Sequence, residues 1–131
     1  MVVDTSAIIA ILMREEGWRD LIWTILGVPT ACLSAATLVE AGIVVEGRSG
    51  PPGADRLDRL LEELGLEVVA VTAEQATLAR LAFRRFGKGR HPAALNFGDC
   101  FAYALAKSRG EPLLFRGDDF ARTDIEPAGT R

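Results

Sequence analysis

The sequence predicts an α/β protein in which helices cover both faces of a mostly parallel central sheet, a three-layer α/β/α architecture. Short apolar runs alternate with longer helical patterns along the chain, and this alternation is typical of parallel sheets. The candidate strands are apolar throughout, as expected where both faces of a sheet are buried. A chain of 131 residues is long enough for one such domain, so we expect residues 1–131 to form a single domain.

Composition narrows the class of protein. Hydrophobic residues make up 49% of the chain and charged residues 25%, which is ordinary for a soluble globular protein and excludes a disordered one. No apolar run approaches the roughly 20 residues that span a bilayer, and no basic segment precedes the first apolar stretch. We therefore expect neither a membrane span nor a signal peptide. Cys32 and Cys100 have apolar neighbours, which predicts buried thiols and a reducing, cytoplasmic location.

In the first half of the chain, helix caps and breakers set the predicted boundaries. Gly27 closes one helix, Ser34 caps another, and Gly47 is expected to end it. The Ser-Gly-Pro-Pro-Gly run is typical of a loop. We expect strands at residues 1–3 and 30–33, helices at residues 7–13 (capped by Thr5 or Ser6), 18–26 and 35–46, and a loop at residues 49–53.

The second half continues the alternation. Leucines at positions 57, 60, 61 and 64 follow the helical period, and Thr72 with Gln75 forms a candidate capping box. The strongest strand pattern covers residues 66–71. We expect helices at residues 57–64, 73–86 and 96–108, a flexible basic loop at residues 87–92, a strand at residues 112–115 and an edge strand near Ile125.

Acidic residues stand at the ends of the predicted strands and helices. Asp4 ends the first strand, Asp118 and Asp119 follow the last, and Asp99 opens a helix behind Asn96. Each has a structural explanation as a helix cap or a turn residue. A further acid, Glu40, shares a helix face with Ile43 and Val44, where an unpaired charge is costly.

Considered together, these acids predict a divalent-metal site. In an open α/β sheet, ligands bind beyond the carboxyl ends of the strands, which is where these carboxylates are expected to meet. Several carboxylates in one cleft repel each other unless a cation neutralises them. An oxygen-only ligand set favours Mg²⁺ or Mn²⁺, and the sequence has no His and Cys set for zinc. Such a site can activate water and stabilise the charge that develops on a phosphodiester.

The basic residues are unevenly distributed. The net charge is −3, which argues weakly against a nucleic-acid partner, but residues 80–91 contain five arginines and lysines and no acid. A local basic patch can bind a phosphate backbone whatever the overall charge. The plainer explanation is a solvated helix face and loop.

Four motifs resemble those of the PIN-domain ribonucleases, and most closely the VapC toxins of VapBC toxin–antitoxin modules. They are Val2-Val3-Asp4-Thr5-Ser6-Ala7, the helix acid Glu40, Leu95-Asn96-Phe97-Gly98-Asp99-Cys100, and Leu113-Leu114-Phe115-Arg116-Gly117-Asp118-Asp119-Phe120. The resemblance covers nearly the whole chain. It implies a PIN-like fold, a Mg²⁺-dependent ribonuclease (Mn²⁺ being a possible substitute), a homodimer, and a cognate VapB-type antitoxin that blocks the site.

The resemblance also implies roles for individual residues. Asp4 and Asp99 would be the principal metal ligands, with Glu40 and a fourth acid beside them. Ser6 would support a metal-bound water, and Asn96 would contact the metal ligands without binding the ion itself. Lys88 and Arg90 would contact RNA phosphates near His91. Many relatives have an Asp where Gly117 stands here, so the fourth acid would be Asp118 or Asp119.

We therefore expect a Mg²⁺-dependent endoribonuclease that acts as the toxin of a type II toxin–antitoxin system. Two alternatives stay open: a PIN nuclease that processes RNA without being a toxin, and a non-catalytic, receiver-like domain that binds Mg²⁺. A receiver domain is expected to have a carboxylate pair after its first strand and an Asp after its third. Here Asp4 stands alone, and Ala70-Val71-Thr72 follows the third predicted strand.

Overall fold

A computed structural model describes residues 1–129 of the chain. Within these residues, four strands form one parallel sheet in the order β3-β2-β1-β4. The elements are β1 (Val2–Val3), α1 (Thr5–Leu12), α2 (Trp18–Leu26), β2 (Cys32–Ser34), α3 (Ala35–Ser49), α4 (Pro51–Glu63), β3 (Glu67–Val69), α5 (Ala73–Phe86), α6 (Phe97–Arg109), β4 (Leu113–Leu114) and a 3₁₀ turn (Phe120–Arg122).

Successive residues of the central strands supply two separate cores. Val2 and Leu113 point to one face of the sheet, where they pack with apolar residues of α5 and α6. Val3 and Leu114 point to the other face, where they pack with residues of α1, α2 and α4. This alternation follows from the two-residue period of a strand. The predicted three-layer α/β/α architecture is confirmed.

The strand order creates a crevice at the carboxyl ends of the strands, between β1 and β4. The chain proceeds from β1 to β2 to β3 in one direction and then returns to place β4 on the other side of β1. The connections therefore diverge between β1 and β4, and ligand sites in open α/β sheets lie at the carboxyl ends of strands at such a switch point. Asp4 follows β1, and Arg116 follows β4 after one intervening residue.

Strand β3 is shorter and more exposed than its apolar sequence predicts. It covers Glu67–Val69 rather than residues 66–71, and it pairs only with β2 within the described chain. Val68 is 42% exposed because β3 lies at the edge of the sheet. The expectation of a strand buried on both faces was wrong here, since apolar composition alone does not distinguish a central strand from an edge strand.

The predicted loop at residues 49–53 was also wrong. Helix α3 continues past Gly47 to Ser49, and α4 begins at Pro51 after the single residue Gly50. Proline is readily accommodated in the first turn of a helix, and Gly50 has a φ of 64°, which glycine adopts without strain. Gly53 also allows the two helices to approach closely, because a β-carbon there would lie 2.6 Å from Val45 Cγ1.

Other local predictions are confirmed in part. Thr72 caps α5 by accepting a hydrogen bond from Gln75 N at 3.1 Å, but Gln75 Oε1 is buried with no hydrogen-bond partner in the described residues, so the reciprocal half of the capping box is missing. The tail makes a single parallel bridge between Leu113 and Pro127 instead of a strand near Ile125.

Within residues 1–129, no helix combines the length and apolar character needed to cross a bilayer.

Candidate active site

Asp4 lies at the end of β1 and caps α1. Its Oδ2 accepts hydrogen bonds from Ser6 N at 3.0 Å and from Ser6 Oγ at 2.7 Å. Ser6 Oγ in turn accepts a hydrogen bond from Arg116 N at 3.0 Å, which links the ends of β1 and β4. Asp4 is 2% exposed, and its second oxygen, Oδ1, is buried without a partner in the described chain. The cap therefore uses one carboxylate oxygen and leaves the other available.

Asp99 is held at the first turn of α6 by the predicted cap. Asn96 Oδ1 accepts a hydrogen bond from Asp99 N at 2.9 Å, and Asp99 Oδ2 accepts one from Asn96 N at 2.9 Å. This reciprocal capping box fixes the carboxylate of Asp99 relative to the helix axis. Asn96 itself is exposed, so its clearest contribution is to orient Asp99.

Glu40 reaches the same region from α3. Thr5 Oγ1 donates a hydrogen bond to Glu40 Oε1 at 2.5 Å, which joins α1 to α3. The carboxylate also lies directly against Gly98, where any β-carbon would collide with it. Neither Thr5 nor Gly98 was predicted from the sequence, because both roles depend on how α3 and α6 pack.

The carboxylates interact electrostatically. Burial raises the pKa of Asp4 to about 6, against hydrogen bonds from Ser6 that lower it, and the charge of Glu40 raises it further. Burial raises the pKa of Asp99 to about 7; the Asn96 hydrogen bond lowers it, and the charges of Asp4, Glu40 and Asp119 raise it. Both Asp118 and Asp119 are exposed, and the charge of Asp119 is among the main ones that raise the pKa of Asp99.

These groups surround an open cleft of about 540 Å³, which we call the acidic cleft. Its lining residues are Asp4, Thr5, Ser6, Ile9, Glu15, Glu40, Val44, Arg48, Asn96, Asp99, Arg116 and Gly117. Within residues 1–129, no three carboxylate, imidazole or thiol groups are close enough together to share one ion as the side chains stand. An ion here would thus have few protein ligands, as is usual for Mg²⁺, which keeps several waters.

Two observations show that the acidic cleft fits a hard divalent cation. Asp4 Oδ1 is a buried carboxylate oxygen with no hydrogen-bond partner among residues 1–129, and such groups are costly unless a cation or donor satisfies them. The donors are all oxygens, which suit Mg²⁺ or Mn²⁺.

The basic loop, residues 87–92, precedes α6 and does not line the acidic cleft. Arg90 lines a separate groove of about 620 Å³ between α5 and α6, where its guanidinium lies 5.8 Å from the centre of the Phe83 ring. Lys88 is exposed, and its backbone N donates to Leu95 O at 2.9 Å. His91 Nδ1 accepts a hydrogen bond from Ala93 N at 3.0 Å, and its ring packs edge-on against Phe86. The loop is therefore tied by hydrogen bonds, and neither Lys88 nor Arg90 lines the acidic cleft.

Comparisons with known proteins agree with this geometry. A sequence model of the PIN domain matches residues 1–126. The chain is 50% identical over 125 residues to a ribonuclease VapC of Mycolicibacterium smegmatis, covering 95% of this chain and 97% of the relative. It is 48% identical over 131 residues to ribonuclease VapC42 of Mycobacterium tuberculosis, covering 99% of this chain and all of the relative.

Solved structures share the fold at lower sequence identity. VapC20 of Mycobacterium tuberculosis, described as a toxin that cleaves the sarcin-ricin loop, superposes with a TM-score of 0.77 at 19% identity, over 95% of each chain. VapBC2 of Rickettsia felis, solved with a DNA fragment from its promoter, superposes with a TM-score of 0.73 at 17% identity, over 96% of this chain and 94% of that one. At these identities the likeness concerns the fold alone.

Proposed function

Because the chain belongs to the PIN-domain family and, within it, to the VapC ribonucleases, we propose that it is a Mg²⁺-dependent endoribonuclease and the toxin of a type II toxin–antitoxin pair. The reaction takes place in the acidic cleft. The observation that carries this proposal is Oδ1 of Asp4, which is buried with no hydrogen-bond partner among residues 1–129, in a cleft where Asp4 and Glu40 raise the pKa of Asp99.

Asp4 and Asp99 are the residues that would hold the metal ion. When bound, Mg²⁺ or Mn²⁺ would lower the pKa of a water molecule and neutralise charge on the phosphodiester. Ser6 holds Asp4 Oδ2 with two hydrogen bonds, so Oδ1 would be the oxygen free to bind the ion. Asn96 holds Asp99 in the same way from the helix start. Asp119 is proposed as the fourth acid, because its charge is among those that raise the pKa of Asp99.

Glu40 acts on protons beside the metal ligands. Its Oε1 is occupied by the hydrogen bond from Thr5, so the carboxylate has a fixed orientation. Its Oε2 lies against Gly98, within the acidic cleft, where it accepts a proton from the attacking water.

The experiment that tests this proposal measures cleavage and metal binding separately. Purified protein is expected to cut single-stranded RNA with Mg²⁺ or Mn²⁺ and to lose that activity in EDTA. Titration with Mn²⁺ is expected to show binding that Asp4→Asn weakens. Full activity in chelator, or Mn²⁺ binding unchanged by Asp4→Asn, would contradict the assignment of the acidic cleft.

Lys88 and Arg90 are proposed to bind RNA flanking the cleaved bond, outside the acidic cleft. Both belong to a loop that leads directly into α6 and Asp99. Each phosphate contact removed lowers the magnitude of the salt slope by roughly 0.7 on single-stranded RNA. Replacing both with Ala is expected to weaken binding and flatten its salt dependence without changing Mn²⁺ affinity. An unchanged slope would make the loop ordinary surface.

A protein partner is supported by exposed apolar side chains. Trp23 is 69% exposed, Ile43 68% and Phe97 80%, which is unusual for residues of this size on a free surface. We propose that a VapB-type antitoxin and a second copy of the chain cover these positions. Native mass spectrometry of the chain alone and with its antitoxin tests both partners. Trp fluorescence that does not respond to the antitoxin would count against Trp23 as part of the covered surface.

A further inference from the structure

The acidic cleft also contains two arginines to which the sequence analysis assigned no role. Arg48, from the end of α3, and Arg116, after β4, both line it. Glu15 lies on the same lining, yet within residues 1–129 neither guanidinium forms an ion pair or a hydrogen bond. Two arginines without carboxylate partners, in a cleft rich in carboxylates, require an explanation.

Arg116 is held in place through its backbone. Its N–H donates to Ser6 Oγ, the same hydroxyl that donates to Asp4 Oδ2. The following residue, Gly117, has a φ of 92°, a conformation that glycine adopts readily and that turns the chain away after Arg116. The Arg116 side chain extends past Gly17, where a β-carbon would lie 3.3 Å from Arg116 Nη1. The residue is half-buried, so the guanidinium is confined to this wall of the cleft.

The acids and the arginines of the cleft are not paired with each other. Within residues 1–129, neither the Arg48 nor the Arg116 guanidinium forms an ion pair with a cleft carboxylate, and Asp4 Oδ1 has no hydrogen-bond partner. The acids are thus left for a cation and the arginines for an anion. A phosphodiester beside a divalent metal presents this combination of charges.

We infer that Arg116, assisted by Arg48, binds the nonbridging oxygens of an RNA phosphate in the acidic cleft and positions it against the metal ligands. This inference rests on the proposed ribonuclease function and deepens it by naming the substrate group that these residues contact. Arginine suits the role because its planar guanidinium can donate two parallel hydrogen bonds to a phosphate. The hydrogen bond that links Arg116 N to Ser6 Oγ and Asp4 sets the phosphate-binding and metal-binding groups at a fixed separation.

Binding is measured first, in a background that does not cut RNA. Asp99→Asn protein is titrated with a single-stranded RNA oligonucleotide over a series of salt concentrations, with and without Arg116→Ala. We expect Arg116→Ala to weaken binding about tenfold, as for a charge-assisted hydrogen bond, and to reduce the salt slope by roughly 0.7. Arg48→Ala is expected to have a smaller effect in the same direction, because Arg48 is more exposed.

Matched variants separate this role from others. Arg59→Ala removes an exposed arginine of α4 outside the cleft and is expected to change neither affinity nor slope. Arg116→Lys keeps the charge but not the planar donor pair, so it is expected to restore the salt slope and only part of kcat/KM. In the active background, Arg116→Ala is expected to lower kcat/KM at least about tenfold while the melting temperature and Mn²⁺ affinity stay unchanged.

The outcomes distinguish this inference from the proposed function. RNA affinity and salt slope unchanged by Arg116→Ala, with Mg²⁺-dependent cleavage intact in the native protein, would overturn the phosphate contact and leave the ribonuclease mechanism standing. A lower melting temperature with unchanged RNA binding would assign Arg116 a structural role and also overturn it. Native protein that does not cut RNA would contradict the proposed function, whereas the binding series still decides whether Arg116 contacts phosphate.

Discussion

The two ends of α6 hold aspartates in opposite electrostatic situations. At the amino end, burial and neighbouring carboxylates raise the pKa of Asp99 to about 7. At the carboxyl end, Asp124 packs beside α6; burial raises its pKa, but hydrogen bonds from Tyr103 and Lys107 and the charges of Lys107 and Arg85 outweigh burial and lower it overall. Tyr103 Oη donates to Asp124 Oδ1 at 2.6 Å, and Lys107 Nζ lies 3.1 Å from Asp124 Oδ2.

The comparison separates a carboxylate that stabilises the fold from one that does not. Asp124 has a donor or cation for each oxygen, as expected of a group retained for stability. Asp99 shares a cleft with Asp4, whose Oδ1 has no partner in the described chain. Strongly perturbed titratable groups in a cleft are typical of functional sites. The aspartate at the amino end of α6 therefore indicates function, whereas the aspartate that packs beside its carboxyl end indicates a structural role.

The largest expected effect is on catalysis. Asp4→Asn and Asp99→Asn are each expected to reduce RNA cleavage at least roughly 100-fold, because each removes a charged metal ligand. Asparagine is as good an N-cap as aspartate, so Asp4→Asn retains the α1 cap. Thermal melting without metal is expected to show an unchanged or higher midpoint, since a buried charge has been removed.

Asp124→Asn is the matched control for this prediction. It is expected to retain cleavage and to lower the melting temperature, the reverse of the cleft variants. If Asp99→Asn instead lowered the metal-free melting temperature while cleavage persisted, Asp99 would be a helix cap alone, and the distinction between the two ends of α6 would be lost.

The next largest effect is on the stability of the metal-free protein, which is expected to depend on pH. Asp4 and Asp99 have pKa values of about 6 and 7 in the folded state, above the ordinary value near 4 of an unfolded chain. Between these values the folded state binds more protons than the unfolded state, so the free energy of unfolding falls as pH rises. We expect a loss of roughly 2 to 4 kcal/mol between pH 4.5 and pH 8. Urea unfolding in EDTA across this range measures it.

Two controls separate the effect of the cleft acids on the pH dependence of stability: addition of Mg²⁺, and the opposite contribution of Asp124. Saturating Mg²⁺ is expected to remove most of the fall, because it binds the ionised cleft. The lowered pKa of Asp124 acts in the opposite direction: its contribution is present above the unfolded pKa, near 4, and is lost as pH falls through the folded value. Stability in EDTA that rises from pH 4.5 to pH 8 would show that folding does not raise the pKa values of Asp4 and Asp99.

A smaller effect is expected at Gly98, which makes room for Glu40. A β-carbon there would collide with the Glu40 carboxylate, so Gly98→Ala is expected to displace Glu40 and to cost about 1 to 3 kcal/mol of stability, the range for overpacking. Cleavage is expected to fall with it. Gly42→Ala on α3 is the control, because no atom lies within 4 Å of the added carbon. It is expected to be neutral or slightly stabilising by helix propensity. Equal behaviour of the two variants would contradict the close contact.

Much of the fold could be predicted from local chemistry. The bounds of α2, the caps at Asp4 and Asn96 and the parallel three-layer sheet are confirmed, because each depends on residues near in sequence or on hydrophobic period. The family resemblance carried by the four motifs is confirmed as well. The Gly50-Pro51 boundary was missed because proline both ends one helix and begins the next, and only packing of Gly53 on Val45 distinguishes a turn from a loop.

The site was harder to predict where it depends on tertiary packing. The sequence indicated Asp4, Glu40 and Asp99 because acids at strand ends and on an apolar helix face are anomalous. Thr5, Gly98 and Arg116 carry no such anomaly in sequence, since their contacts to Glu40 and Ser6 join elements far apart in the chain. Asp118 and Asp119 could not be separated from sequence either, because they are adjacent in one turn and only the folded chain brings the charge of Asp119 to bear on Asp99.

The smallest expected effect is at the carboxyl end of α6. Tyr103 is 4% exposed, and burial, with the hydrogen bond to Asp124, raises the pKa of its hydroxyl above the ordinary value. Tyr103→Phe removes that hydrogen bond and leaves the ring packing intact. Because Asp124 is partly exposed and keeps Lys107 beside it, the loss is expected to be about 1 kcal/mol, that of one hydrogen bond. Arg85→Ala is the control: its pair with Asp124 is 3.5 Å long and exposed on both sides, so it is expected to change the free energy of unfolding by less than about 1 kcal/mol. Both variants are expected to cleave RNA at the native rate. A loss of cleavage in Tyr103→Phe would show that the two ends of α6 are coupled and not separate as the aspartates indicate.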